Sequence, residues 1–145
     1  MGKTKIIKPK TEETKAAGTA PVKAVKAQKR KIESGRVYIN ASYNNTIITI
    51  TDNNGGVVAW ATAGSLGFAG PKKATPFAAS KVIAALAEKV EKTGPVNIEV
   101  YVSGVGGGRD SAVRSLLNHN FNVLSIKDVT PIPHNGPKPP KARRV

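Results

Sequence analysis

Four glycines in five residues, Gly104-Val105-Gly106-Gly107-Gly108, stand directly before Arg109. Backbone amides that no side chain shields, set beside a guanidinium, make a receptacle for an anion such as a backbone phosphate of RNA or DNA. Two better-defined phosphate sites fail on spacing. The dinucleotide fingerprint needs glycine at the sixth position of G-x-G-x-x-G, and counted from Gly104 that position is Arg109; no G-x-x-x-x-G-K-[ST] occurs in the chain. The competing reading of the same residues is a tight turn that starts a helix, with Gly106, Gly108 and Arg109 as the phosphate candidates if the first reading holds.

A second stretch, AGSLGFAGPKKAT at 63–75, sets Ser65, Gly67 and Phe68 ahead of the pair Lys72-Lys73. The lysines suit phosphate, and Phe68 either stacks on a base or folds back onto the core. The turn NASYNNT at 40–46 supplies Asn44, Asn45 and Thr46, whose amide and hydroxyl groups bond phosphate and 2′-OH groups, or equally build an Asx-rich hairpin connection.

Charge is concentrated at the two ends. The 145 residues carry a net charge of +14, of which residues 1–35 hold +7, residues 130–145 hold +4 and residues 36–129 only +3. That layout is an almost balanced globular domain between two basic arms, suited to a polyanion. The first arm lacks apolar periodicity and is expected to be disordered when free, with Lys26, Lys29, Arg30 and Lys31 its densest phosphate candidates. The last arm, PIPHNGPKPPKARRV, has five prolines, which hold it extended so that Lys138, Lys141, Arg143 and Arg144 can thread along a nucleic acid at lower ordering cost. Within it Asn135 precedes Gly136, where an unhindered glycine nitrogen can attack the asparagine side chain and form a succinimide that opens to isoaspartate; an ordinary turn is the plainer use of that dipeptide.

Other chemistry is poorly supplied. There is no cysteine, and the two histidines lack ligand spacing, so neither a metal nor a cofactor is expected. The sequence shows no apolar run of membrane-spanning length and no secretory signal, which leads to the expectation of a cytoplasmic protein.

The elements that position these residues follow from periodicity. Arg36–Ala41 alternates, Thr46–Thr51 is β-branched throughout, and Val57–Thr62 returns after the DNNGG turn, giving three antiparallel strands. Thr75 caps and Pro76 opens a helix that ends at Gly94-Pro95, with Ala79, Val82, Ile83, Leu86, Ala87 and Val90 as its buried stripe. Ile98, Val100 and Val102 mark a fourth strand. A second helix follows the glycines with Val113, Leu116 and Leu117 inward, and Asn122–Asp128 is the fifth strand. The order βββαβαβ predicts an α/β mixed five-stranded sheet in which the third, fourth and fifth strands run parallel.

Four blocks in order, ASYNNTIITITD, WATAGSLGFAGPKKATPFAA, GVGGGRDSAVRSL and DVTPIPHNGPKPPKARRV, resemble the universal family of small-subunit ribosomal protein eleven in its bacterial form. Two positions depart from that family: its glycine loop commonly carries prolines where Val105 and Gly107 stand, and Arg often replaces Lys72. The resemblance implies a ribonuclease H-like fold and a structural role in the small ribosomal subunit, bound to small-subunit ribosomal RNA in the platform. It also adds Arg114, His134 and Asn135 to the RNA-binding candidates. Implied neighbours are small-subunit proteins seven and eighteen, initiation factor three and the messenger exit where the Shine-Dalgarno helix forms. Rival readings are a ribonuclease H-like nuclease, disfavoured because Arg36–Ser42 holds no carboxylate for divalent metals, and a small basic DNA-packaging protein.

Overall fold

The computed structural model describes residues 32–141. Five strands and two helices follow in order: β1 (Ser34–Ala41), β2 (Thr46–Asp52), β3 (Val57–Thr62), α1 (Pro76–Val90), β4 (Asn97–Ser103), α2 (Arg109–Asn118) and β5 (Asn122–Asp128). They form one mixed sheet in the order β3-β2-β1-β4-β5. β1 pairs antiparallel with β2 and parallel with β4, and β5 is parallel to β4. The third, fourth and fifth strands therefore run the same way, as the connections require, although β3 lies at the opposite edge from β5. The first strand begins at Ser34, two residues before the alternation suggests, because Ser34 and Gly35 already pair with Asn97 and Ile98.

Both helices pack on one face of the sheet. Alternation delivers Val37 and Ile39 from β1, Ile48 and Ile50 from β2, and Ile98, Val100 and Val102 from β4 to that face, all buried. Val82, Ile83, Leu86 and Val90 of α1 meet them, with Ala78 also buried and Ala87 only half-buried. Thr75 caps α1 as expected, its hydroxyl accepting from the Ala78 amide at 3.3 Å.

One helix face differs from expectation. Leu116 is buried, but Leu117 is 55% exposed, and the inward stripe of α2 is Ala112, Ser115 and Leu116 with Val113 at its margin. The cause is the close approach of the helices: the Ser115 hydroxyl lies 2.9 Å from Ser80 Oγ of α1 and 2.8 Å from the Ser111 carbonyl of its own helix, its single proton shared between the two acceptors. A satisfied serine fits that seam where a leucine would not.

Candidate nucleic-acid interface

Because β1, β3, β4 and β5 share a direction, their carboxyl ends meet at one pole, together with the start of β2 and the amino ends of both helices. Ligands of open α/β sheets gather at this end of the strands. Three segments far apart in sequence interlock here: the turn 42–45, the loop 63–75 and the glycine loop 104–108.

The glycine loop is wedged against the end of β1. Gly104 takes φ +92°, and a Cβ there would lie 2.2 Å from the Ala41 carbonyl oxygen. The Gly106 amide donates to that oxygen at 2.8 Å, and a Cβ on Gly106 would lie 2.2 Å from the Ser42 oxygen. A Cβ on Gly108 would meet Thr46 Oγ1 at 2.7 Å and Ala79 Cβ at 3.0 Å. Three of the four glycines are therefore demanded by packing. Gly106, Gly108 and Thr46 are all buried, with the Gly106 amide engaged by the Ala41 carbonyl and the Thr46 hydroxyl enclosed. Only Gly107 and Val105 are exposed at the loop's crest.

Arg109 is committed inward as well. Its Nη1 donates to the Gly104 carbonyl at 3.0 Å and its Nη2 to the Asp128 carboxylate. Asp128 Oδ1 also accepts from the Thr130 hydroxyl at 2.6 Å and the Thr130 amide at 2.9 Å, while the Gly104 amide donates to Thr130 Oγ1 at 3.2 Å. The Thr130 hydroxyl, the Arg109 guanidinium and the Thr130 amide together hold the Asp128 carboxyl far below the usual carboxylate range. Arg109 thus ties the glycine loop to the root of the C-terminal segment, its charge paired with that of Asp128.

The 63–75 loop is anchored by the Ala63 amide donating to the Thr46 carbonyl at 3.1 Å. Ser65 is absorbed locally: its hydroxyl donates to the Thr62 carbonyl and accepts from the Thr62 amide, and its own amide donates to Thr62 Oγ1. Phe68 folds back, packing against the core and edge-on to Phe77 with ring centroids 6.1 Å apart. An apolar ring beside a core margin is held there by burial. The aromatic left outside is Phe77, 63% exposed, with Lys81 Nζ 5.6 Å above its ring. Its place off the α1 stripe was readable from helical spacing. Gly67 turns the chain at φ +87° in open space, and Lys72 is exposed with Lys73 half-buried.

In the turn 42–45, Ser42 and Asn45 bond each other through backbone and hydroxyl, and Asn45 Oδ1 accepts from the Thr46 amide at 3.0 Å. Asn45 is thereby a turn-former, whereas Asn44 points to solvent beside Tyr43, 78% exposed and not among the sequence candidates. Arg114 is exposed on α2, and His134, Asn135, Lys138 and Lys141 are exposed along the segment that leaves this pole. Asn135 has φ +58°, the left-handed conformation of a turn. Among the described residues no carboxylate pairs with Lys72, Lys73, Arg114, Lys138 or Lys141. The candidates Lys26, Lys29, Arg30, Lys31, Arg143 and Arg144 lie outside the described residues.

Among the described residues no group of three His, Asp or Glu side chains could hold a metal ion, and no helix is long and apolar enough to cross a membrane. What the pole offers is a rigid backbone scaffold carrying unpaired cations, exposed amides and two outward aromatic rings.

The family model described as "Ribosomal protein S11" matches residues 35–144. A relative from Solibacter usitatus, "Small ribosomal subunit protein uS11", is 52% identical over 132 residues, covering 87% of this chain and 98% of its own length. One of the same description from Psychromonas ingrahamii is 50% identical over 125 residues, covering 86% and 97%.

Proposed function

From the premise that this chain belongs to the ribosomal protein S11 family, we propose that its loop pole is an RNA-docking surface in the small ribosomal subunit. The chain is a structural component of that subunit and not an enzyme. In the finer reading, the domain of residues 36–129 docks by shape on small-subunit ribosomal RNA in the platform, and the basic arms 1–35 and 130–145 fill grooves between RNA helices. The C-terminal arm then runs toward the messenger exit and the Shine-Dalgarno helix, with small-subunit proteins seven and eighteen and initiation factor three as neighbours. That places the protein on cytoplasmic ribosomes. The fold is read as ribonuclease H-like, a reading supported by three antiparallel strands followed by two parallel crossovers.

One observation carries the docking surface: Lys72, Lys73, Lys138 and Lys141, none paired with a described carboxylate, belong to the pole where the loops interlock or to the segment leaving it, with Arg114 likewise unpaired further along α2. Unpaired lysines and arginines beside rigid loops neutralise phosphate, while shape and 2′-OH contacts select folded RNA. Asn44, Gly67 and the exposed His134 complete the contact set; Arg109 and Asn45 act by holding the loops. Asn135 stays a candidate for isoaspartate formation, which intact-peptide mass spectrometry would remove by finding only the amide.

Competition binding tests the reading. A structured fragment of small-subunit ribosomal RNA should resist displacement by duplex DNA at equal concentration in moderate salt. Equal displacement would return the protein to the class of general polyanion binders.

A further inference from the structure

We infer that the helix-free face of the sheet docks a neighbouring protein of the same assembly, which lays an apolar or aromatic side chain over Thr49 between Tyr38 and Trp60. The inference rests on the assembly reading above but uses a different surface. The register sets Trp60, Thr49, Tyr38, Tyr101 and Lys127 side by side across all five strands, on the face opposite the helices. Trp60 is 58% exposed.

Thr49 is the small residue in that row. Adjacent strands lie about 4.8 Å apart, so the rings of Tyr38 and Trp60 rise from backbones about 9.6 Å apart with only a threonine between them. A flat or branched side chain inserted there needs about 7 to 8 Å, two van der Waals contacts of carbon on carbon. The spacing fits such a group without moving either strand.

The ionisable groups decide the class of occupant. Glu99 accepts from the Tyr101 hydroxyl at 2.9 Å and has Arg36 Nε at 3.8 Å and Lys127 Nζ at 3.9 Å. The two cations of this face are thus shared with a carboxylate that a phosphate would have to approach. Tyr38 and Tyr101 close their inner faces on one another, centroids 5.1 Å apart and 20° between planes, and Lys127 Nζ sits 5.3 Å over the Tyr101 ring. The open slot lies between Tyr38 and Trp60, and a base entering it would carry its phosphate toward a face whose cations Glu99 already engages. Aromatic residues and arginine with depleted net charge are instead the composition of a protein interface core.

A second copy of this chain is disfavoured, since two chains of net charge +14 repel. Five strands of this length present about 500 Å², short of the roughly 800 Å² per partner of a self-standing interface. A neighbour anchored on the same RNA needs no more, because the shared scaffold supplies the effective concentration.

Trp60 is the only tryptophan in the chain, so its fluorescence on protein-free RNA reports this face alone. With the full chain bound to small-subunit ribosomal RNA only, Trp60 should stay as open to acrylamide as in the free protein. In subunits reconstituted with the complete protein set, the photocrosslinker p-benzoylphenylalanine in place of Ile47, half-exposed on the same face, should join a segment of another small-subunit protein that carries an apolar or aromatic residue. Adding Thr49→Arg, which fills the slot, should cut that crosslink several-fold while the chain still enters subunits. Shielding of Trp60 by RNA alone, or crosslinking to RNA, to residues 1–31 of this chain, to a second copy or to nothing, overturns the inference. Failure of the unmodified chain to enter subunits would sink the assembly reading and the inference with it.

Discussion

Both poles of the sheet are closed by turns, yet the turns are built differently. At the pole away from the loops the β2–β3 hairpin closes largely on its own residues, and neighbouring segments meet through single bonds such as the Ile32 amide to the Thr93 carbonyl and the Asn97 amide to the Glu33 carbonyl. Asp52 closes the β2–β3 hairpin with side chain and backbone together: its Oδ1 accepts from the Gly56 amide at 2.7 Å and the Asn54 amide at 2.9 Å, and its own amide donates to the Gly56 carbonyl at 2.9 Å, while side-chain pairs tie Asn53 to Ser34 and Asn122 to Asn97. Among the described residues the charges at its rim are Glu33, Asp52, Glu88 and Glu91 against Lys89 and Lys92, and Glu88 and Glu91 line a cavity of about 440 Å³ between the helix ends. At the loop pole the turn 42–45 closes on itself, but the loops 63–75 and 104–108 each borrow a backbone carbonyl from another segment, Thr46 and Ala41. The unpaired charges there, among the described residues, are mainly cationic, with Asp110 at the start of α2 the exception. Among the described residues the contrast favours approach of a polyanion to the interlocked end.

The difference is tested most severely by two matched alanines. Gly104→Ala sets a Cβ at φ +92° and 2.2 Å from a backbone oxygen, so the loop must leave β1; a loss of about 3 kcal/mol is expected. Gly55→Ala, at φ +87° in open space in the opposite hairpin, should cost about 1 kcal/mol. Denaturant unfolding of the two variants compares them directly, and equal losses would mean that the glycine loop is not wedged.

That result concerns a feature that sequence reasoning could see but not interpret. Four glycines before an arginine are compatible with an anion cradle and with a close packing joint, and the deciding fact is the Ala41 carbonyl behind them, some sixty residues upstream. Strand and helix assignments fared better because periods of 2 and 3.6 are local properties. The same limit explains Leu117, placed inward by hydrophobicity alone when the α1–α2 seam selects Ser115. It also explains Phe68, whose orientation depends on a partner ring at Phe77. Exposed lysines were legible because nothing but solvent surrounds them. The aromatic row was half legible: alternation assigns Tyr38 and Tyr101 to the outer faces of their strands, but only the insertion of β4 beside β1 makes them neighbours.

A gentler probe keeps the fold and changes only charge. Replacing Lys72 and Lys73 by Gln should lower the log–log salt slope of binding to a small-subunit ribosomal RNA fragment by about 1.4 to 1.8, since each phosphate contact contributes about 0.7 to 0.9. The same exchange at Lys89 and Lys92 should leave the slope where it was. If the second pair mattered as much as the first, the poles would not differ in the way described, and binding would follow net charge alone.

The smallest effect concerns the joint between the loop pole and the C-terminal segment. Asp128 is held ionised by hydrogen bonds from the Thr130 hydroxyl, Arg109 and the Thr130 amide, so its folded-state pKa lies below its unfolded value. The sign follows from linkage: the contribution is fully present above the ordinary aspartate range near pH 4, and is lost progressively as pH falls below it. Since the carboxyl is exposed, the loss is confined to the joint and should leave the unfolding midpoint nearly unchanged. In an NMR titration the Thr130 amide should hold its position through pH 4 and move only in stronger acid, whereas in Asp128→Asn it should not titrate at all. Movement centred near pH 4 would show a carboxylate no better held than one in water. The root of the arm would then be as loosely fixed as the exposed residues beyond it, and Arg109 would be free to take part in RNA contact after all.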